Sequence, residues 1–398
     1  MANEEQTNIV KMKVGEFVDA MTELIKQSKN GKDLPAINLS GPPGVGKSDA
    51  VRAIGNRLEM YYADTKTPKR VDITDVRLLN MNPVDIRGIP SKSVITVNKT
   101  KRIKNENGEY EEKRVQEEVP VARWLRPEIF QLDDSDEVIN ILFLDELTAA
   151  PPSVQAAAYQ LVLDRKVGEH ELPDNTFVIS AGNRTIDKSV AYRMPKALAN
   201  RMTHLEIYSE IDDWKRWALN NDIDERIIGF LNWKPDSLFK FDPSKDDLAF
   251  PTPRSWAMVD SFLKKSKGNI DLAYPWIAGS VGNGMAMEFR TYTVIYKDLP
   301  DITKIFKGEK LEHPSADKPD VSYAISSSIV AYTPKATKKQ LENMITWLTD
   351  WTPDFAACTI KDAIAIGTVH KKIVGTDAWV NFSKKYASLL IRNRAVFN

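Results

Sequence analysis

Apolar positions along this chain follow two rhythms. In its first half, short apolar runs alternate with segments of helical period. Ala36, Ile37 and Leu39, then Val76, Leu78 and Leu79, then residues 139–144, 176–181 and 204–207 each predict a short strand. Val14, Phe17, Val18, Met21, Leu24 and Ile25 recur at helical spacing and predict one amphipathic helix, closed by Asn30-Gly31. Residues 48–54 start a second helix. Val154, Ala157, Ala158, Leu161 and Val162 line one face of a third, opened by Pro151 and Pro152, because proline suits the first helical turn. This alternation predicts an α/β fold with a parallel sheet covered by helices on both faces.

From Ser209 the pattern turns helical. Helices are predicted over 211–219 and 224–231, from Arg254 after Pro251-Thr252-Pro253, over 339–351 and around 378–391. The expected organisation is a core at 1–208, a smaller helical domain at 209–298, and a C-terminal extension at 299–398 that starts in a proline- and charge-rich connector. Two stretches break the rhythm. Residues 82–90, Asn-Pro-Val-Asp-Ile-Arg-Gly-Ile-Pro, are punctuated like a shaped loop. Residues 93–121 predict an inserted hairpin, with Asn105-Glu106-Asn107-Gly108 as the turn and heavily charged arms. A solvated ribbon whose mixed charges limit aggregation and an element that touches a partner both fit that pattern.

Lys plus Arg and Asp plus Glu both total 55, so the chain has no overall electrostatic bias toward nucleic acid or an anionic membrane. Cys358 is the only cysteine, which excludes an internal disulfide framework and fits a reducing compartment. The histidines, His170, His204, His313 and His370, lack zinc-site spacing. An acidic, polar start and no apolar run of bilayer length predict a soluble, cytoplasmic protein.

Candidate chemistry concentrates where the first buried strand ends. Gly41-Pro42-Pro43-Gly44-Val45-Gly46-Lys47-Ser48 fits G-x-x-x-x-G-K-[ST], with a strand before it and a helix opening through Ser48 and Asp49 after it. Glycines let backbone N–H groups converge on phosphate oxygens, and the helix N-terminus adds partial positive charge. Lys47 can reach the terminal phosphates and Ser48 can ligate Mg²⁺. Hydrolysis also needs carboxylates, and Asp145-Glu146 ends a later apolar strand. Asp145 is the expected metal-shell residue and Glu146 the group that polarises the attacking water. Asn183, ending the next strand, offers a neutral amide to orient that water. Arg201 and Arg254, near the ends of helical segments, are candidate cations, although a solvated surface arginine is the ordinary fate of the type.

In combination, Gly-Pro-Pro-Gly-Val-Gly-Lys-Ser, Ile-Leu-Phe-Leu-Asp-Glu, Ala-Gly-Asn-Arg, Leu-Ala-Asn-Arg and Thr-Pro-Arg resemble the AAA+ ATPases. Residues 82–90, 149–157 and 194–201 narrow the likeness to the MoxR branch, over about residues 14–296. The resemblance implies Walker A at 41–48, Walker B at 141–146, Asn183 as sensor 1 and ATP as the nucleotide. It implies that Arg201, with Arg193 as a weaker rival, is an arginine finger for the neighbouring subunit. Arg254 falls at the sensor-2 position of a helical lid, acting in cis or in trans. It further implies insert hairpins at 93–121 and near 166–173, a ring that is usually a homo-hexamer, and a protein client. A separate von Willebrand factor A domain protein is an expected partner. Competing readings are a DNA-associated motor, for which only the basic hairpin residues speak, and a nucleotide-gated scaffold without turnover.

Overall fold

The computed structural model describes residues 9–104, 110–187 and 192–387. They build two compact units, Met1–Pro43 with Lys47–Ile207, and Tyr208–Asn398 with the loop tip Gly44–Gly46.

The first unit is the α/β fold. In chain order it comprises β1 (Val10–Lys13), α1 (Val14–Gln27), β2 (Ala36–Ser40), α2 (Lys47–Ala63), β3 (Arg70–Arg77), α3 (Pro83–Arg87), β4 (Ile89–Lys104), β5 (Tyr110–Leu125), β6 (Val138–Asp145), α4 (Pro152–Leu163), β7 (Lys166–Val167), β8 (His170–Glu171), β9 (Thr176–Gly182), α5 (Lys196–Ala199) and β10 (Met202–Tyr208). The main sheet runs β1-β10-β2-β9-β6-β3, and the pairs from β10 to β3 are parallel. Its central strands are mostly apolar with no alternation between faces, because both faces are covered: all of β9, and all of β6 up to Asp145, is buried, with Asn140 and Ser180 hydrogen-bonded inside. One face packs Val76, Leu142, Leu144 and Val178 against Val154, Ala158 and Leu161 of α4.

Three details differ from expectation. The strand near Val76 stops at Arg77, and Leu78–Asn80 is a 3₁₀ turn that buries Leu78 but leaves Leu79 exposed. Residues 82–90 are not all loop, since Asn82 caps α3: its own N–H donates to Asp85 at 2.8 Å, and Pro83 occupies the first turn. The hairpin is longer than 93–121: β4 and β5 pair antiparallel from Ile89↔Leu125 to Lys104↔Tyr110, while the turn expected at 105–108 lies outside the described residues. β7 and β8 form the second, smaller hairpin.

The second unit is helical: α6 (Ile211–Asn220), α7 (Glu225–Trp233), α8 (Pro253–Lys265), α9 (Ile270–Val281), α10 (Asn283–Val294), α11 (Thr303–Lys307), α12 (Pro319–Tyr332), α13 (Lys338–Thr349), α14 (Pro353–Ile364), α15 (Gly367–Ile373) and α16 (Asp377–Lys385). The connector expected at 298–320 thus contains α11, and the last predicted helix ends at Lys385, with residues 388–391 outside those described. Phe230, Trp256, Phe289 and Tyr292 form one aromatic core, and Phe306, Ile329, Met344 and Ile360 belong to a second.

A buried ionic cluster spans α6, α7 and α14. Lys215 lies 2.9 Å from Asp362 and donates to Asn232 at 3.0 Å, while Lys361 pairs with Asp212 at 2.7 Å. Burial works against the Lys215 ammonium, but Asp362, aided by Asp212, outweighs it and raises its pKa. Burial pushes the neighbouring Cys358 thiol up to about 11, with Asp362 adding to the effect. Lys215→Met leaves Asp362 without its cation, and such breaks cost about 3–5 kcal/mol. The expected result is a clear fall in the urea midpoint of the full chain, largely recovered in Lys215→Met/Asp362→Leu, where both charges are gone.

Candidate nucleotide site

Sheet register gathers the candidate groups. Ser40 pairs with Gly182 and Leu144 with Ser180, so the loop after β2, Asn183 after β9 and Asp145 at the end of β6 emerge at one edge of the sheet. Gly44 and Gly46 have φ of 75° and 105°, a left-handed backbone that residues with a side chain rarely hold. The loop feeds α2, whose first residue is Lys47. A seventeen-residue helix therefore directs its free N–H groups and dipole toward the loop.

Lys47 Nζ donates to the carbonyls of Gly41 at 2.8 Å and Pro42 at 3.0 Å, and to Asn183 Oδ1 at 3.0 Å. Ser48 Oγ donates to Asp145 Oδ2 at 3.1 Å, and Asp145 Oδ1 accepts the Glu146 N–H at 2.9 Å. A hydroxyl and a carboxylate in hydrogen-bond reach are hard oxygen donors of the kind Mg²⁺ takes beside phosphate and water. No cluster of three or more His, Cys, Asp or Glu occurs among the described residues.

Glu146 has φ of 57°, one of the few non-glycine residues in the left-handed region. That conformation costs roughly 1–2 kcal/mol for an L-residue. It is held by the Leu147 N–H donating to Ala181 at 2.9 Å and by the N–H groups of Ala149 and Ala150 donating back to Glu146. The strained residue directly follows Asp145, whose carboxylate meets Ser48.

Two residues escaped the sequence reading. Thr148 donates its hydroxyl to the Asn183 carbonyl at 3.0 Å. Arg184 reaches Asp187 at 2.6 Å and Glu206 at 2.9 Å, tying the end of β9 to β10. Arg184 stood inside a quoted motif without a role. Thr148 carried no sequence signal beyond its place after Asp145-Glu146.

The remaining candidates lie elsewhere. Asp49 is exposed and paired along its helix with Arg52 at 3.0 Å. Arg201 precedes β10, whose Met202 pairs with Ala36 at the start of β2, so it sits at the opposite end of that strand from Gly41. Six strand steps make this separation roughly 20 Å along the sheet. Its guanidinium lies 5.3 Å from the centre of the Tyr159 ring. A cavity of about 370 Å³ opens at the same end, lined in part by Ala36, Arg165, Glu171 and Arg201, and plays no part in the phosphate loop. Arg193 is exposed in the same unit. In the second unit Arg254 opens α8, with the Thr252 hydroxyl accepting the Ser255 N–H at 3.0 Å as cap, and the Arg254 N–H donates to the Gly44 carbonyl at 3.3 Å.

Fold and site together define a class, an α/β protein with a parallel sheet whose glycine-rich loop at 41–48 lies against Asp145 and Asn183. No protein-family model matches the chain, and no curated protein does. Among solved structures it is similar to a mutant of RuvB from Thermotoga maritima, with 14% identity over 81% of this chain and 83% of that one at a TM-score of 0.34. It is similar to PCH-2 from C. elegans, with 13% identity over 79% and 66% of the two chains at 0.31. A third is a DNA polymerase III gamma subunit-related protein from Thermotoga maritima, with 8% identity over 93% and 97% at 0.28. Scores this low carry no functional inference, and the fold class rests on the strand order and register above. No described helix is long and apolar enough to cross a membrane.

Proposed function

We propose that this chain is a Mg²⁺-dependent ATP hydrolase of the AAA+ type, MoxR branch, working as a homo-oligomeric ring that remodels or activates a protein client in the cytoplasm. The observation that carries the reading is the convergence of Lys47, Ser48, Asp145 and Asn183 at one sheet edge, with Glu146 held beside them. On this reading the loop N–H groups and Lys47 bind the phosphates, and Ser48 with Asp145 would hold the metal. A bound Mg²⁺ would neutralise phosphate charge. Glu146 accepts a proton from the attacking water, and Asn183 orients that water without adding charge.

Arg201 points the reading toward a ring. It lies at the end of β2 away from its own loop, which supports a role toward another copy's nucleotide rather than its own. Residues 209–298 are assigned as the lid carrying Arg254, and 299–398 as an extension to it. A von Willebrand factor A domain protein is the partner we would seek first, on the sequence resemblance alone. Nucleic acid is the weaker partner, because the chain has no net positive charge and part of the ribbon's basic charge is engaged by its own acids: Lys99 and Lys101 share Glu117 at 3.4 and 3.1 Å, and Arg102 pairs with Glu112.

The direct test is phosphate release from ATP with Mg²⁺, with EDTA, and with added duplex or single-stranded DNA. Hydrolysis that requires Mg²⁺ and ignores DNA is the expected result. Hydrolysis that appears only with DNA transfers the assignment to a nucleic-acid motor, and binding without turnover transfers it to a nucleotide-gated scaffold.

A further inference from the structure

Resting on that reading, we propose that Thr148 is a positioning residue that couples the Asp145–Glu146 turn to Asn183. Three observations meet at it. Its hydroxyl donates to the Asn183 carbonyl at 3.0 Å. A Cβ added to Gly182 would lie 2.4 Å from the Thr148 Oγ1 and 2.9 Å from its methyl, so only glycine lets the side chain close onto this strand end. The backbones on either side are joined as well: the Leu147 N–H donates to Ala181 at 2.9 Å, and the Thr148 carbonyl accepts the Tyr192 N–H at 2.6 Å.

The geometry gives the hydroxyl a specific task. Asn183 is fixed at its side chain by Lys47 and followed by Arg184, which Asp187 and Glu206 anchor. The remaining hold on its peptide comes from Thr148, two residues past Glu146. A shift of the strained turn at Glu146 therefore reaches the Asn183 peptide directly through the Thr148 side chain, beside the Leu147–Ala181 backbone bond two residues earlier on β9. Thr148 is half-buried, so water could satisfy its hydroxyl as well as Asn183 does. Solubility of the group alone does not require the bond, and orientation of the Asn183 amide does.

Thr148→Val keeps the shape and removes the donor, and Thr148→Ser restores it. For Thr148→Val we expect kcat to fall about tenfold, the loss of one well-oriented hydrogen bond, with KM within about threefold. Thr148→Ser should recover most of kcat. Because Thr148 acts through Asn183, the double variant Thr148→Val/Asn183→Ala should be no slower than Asn183→Ala alone. Unchanged kcat in Thr148→Val, no rescue by serine, or additive losses in the double variant each overturn the proposal. Thermal melts of all four proteins separate misfolding from mispositioning, and a Thr148→Ser protein that melts like the wild type but stays slow counts against it.

A wild type that binds nucleotide without hydrolysing it removes the hydrolase assignment but not this test. The ratio of ADP to Mg²⁺–AMPPNP affinity then reads the coupling, and Thr148→Val must shift that ratio while Thr148→Ser does not. No shift overturns the inference. A wild type that binds neither nucleotide overturns it together with the reading on which it rests.

Discussion

Replacing Glu146 with glutamine is expected to lower ATP hydrolysis by about 10²–10⁴-fold, the span for loss of a positioned general base, with nucleotide affinity nearly unchanged. The substitution keeps size and polarity, so the turn should persist. Its hydrogen bonds run through the backbone: Leu147 to Ala181, and Ala149 and Ala150 to Glu146. On the proposed reading, Lys47, Ser48 and Asp145 would remain in place to bind phosphate and metal. Phosphate release under saturating Mg²⁺–ATP, paired with equilibrium binding of a fluorescent ATP analogue, separates the two quantities. If both fall together, Glu146 serves binding. If neither falls, the base is another group and the mechanism assigned here is wrong.

Arg201→Ala is expected to reduce hydrolysis by about 10³–10⁵-fold, the worth of an arginine supplied to a phosphoryl-transfer site. The register makes this prediction unusual. Met202 pairs with Ala36, so Arg201 sits at the far end of β2 from its own phosphate loop. An effect of that size from such a place requires a second copy. Mixing variant and wild-type chains at constant total concentration should then lower activity faster than in proportion to the variant added, and wild-type activity should rise with concentration. Proportional loss and concentration-independent turnover would mean that each chain works alone. Tyr159, whose ring underlies the guanidinium, offers an internal comparison: losing the ring should matter far less than losing the charge.

Much of the first unit could be read from the chain because its signals are local. Residues 139–144 are apolar except for Asn140, as a strand covered on both faces largely must be, and the structure extends them by one residue at each end, with the buried Asn140 amide satisfied by Asp133 and Asn175. The phosphate loop was legible from glycine and lysine spacing, and the structure adds the positive φ that glycine allows. Errors arose where apolar residues are buried by something other than a strand. Leu78 is buried in a 3₁₀ turn, and α3 hides within a stretch that proline and glycine mark as loop. The apolar pattern predicts no individual helix where α9, α10, α11, α12, α14 and α15 lie: α12, for one, places serines such as Ser326 and Ser327 in the interior, satisfied by Thr359 and by backbone, so its polar composition conceals its burial. At the site, residue types and order were visible, but proximity was not. Thr148 meets Asn183 only because β6 and β9 are neighbours, and nothing local encodes that pairing.

Strand order also bears on how the chain must be made. β2, which delivers the phosphate loop, is flanked by β9 and β10, both encoded far downstream. On a ribosome the segment from Ser40 to Thr176 takes roughly 10–30 s to synthesise. Throughout that interval β2 has neither partner, and its apolar residues and backbone groups are open to association with other nascent chains. The loop at 41–48, whose Lys47 donates to Asn183 after β9, can take its final form only after β9 is released. Chaperone demand during synthesis should thus fall sharply once residues 176–208 have cleared the exit tunnel, and chains truncated before Thr176 should aggregate rather than fold.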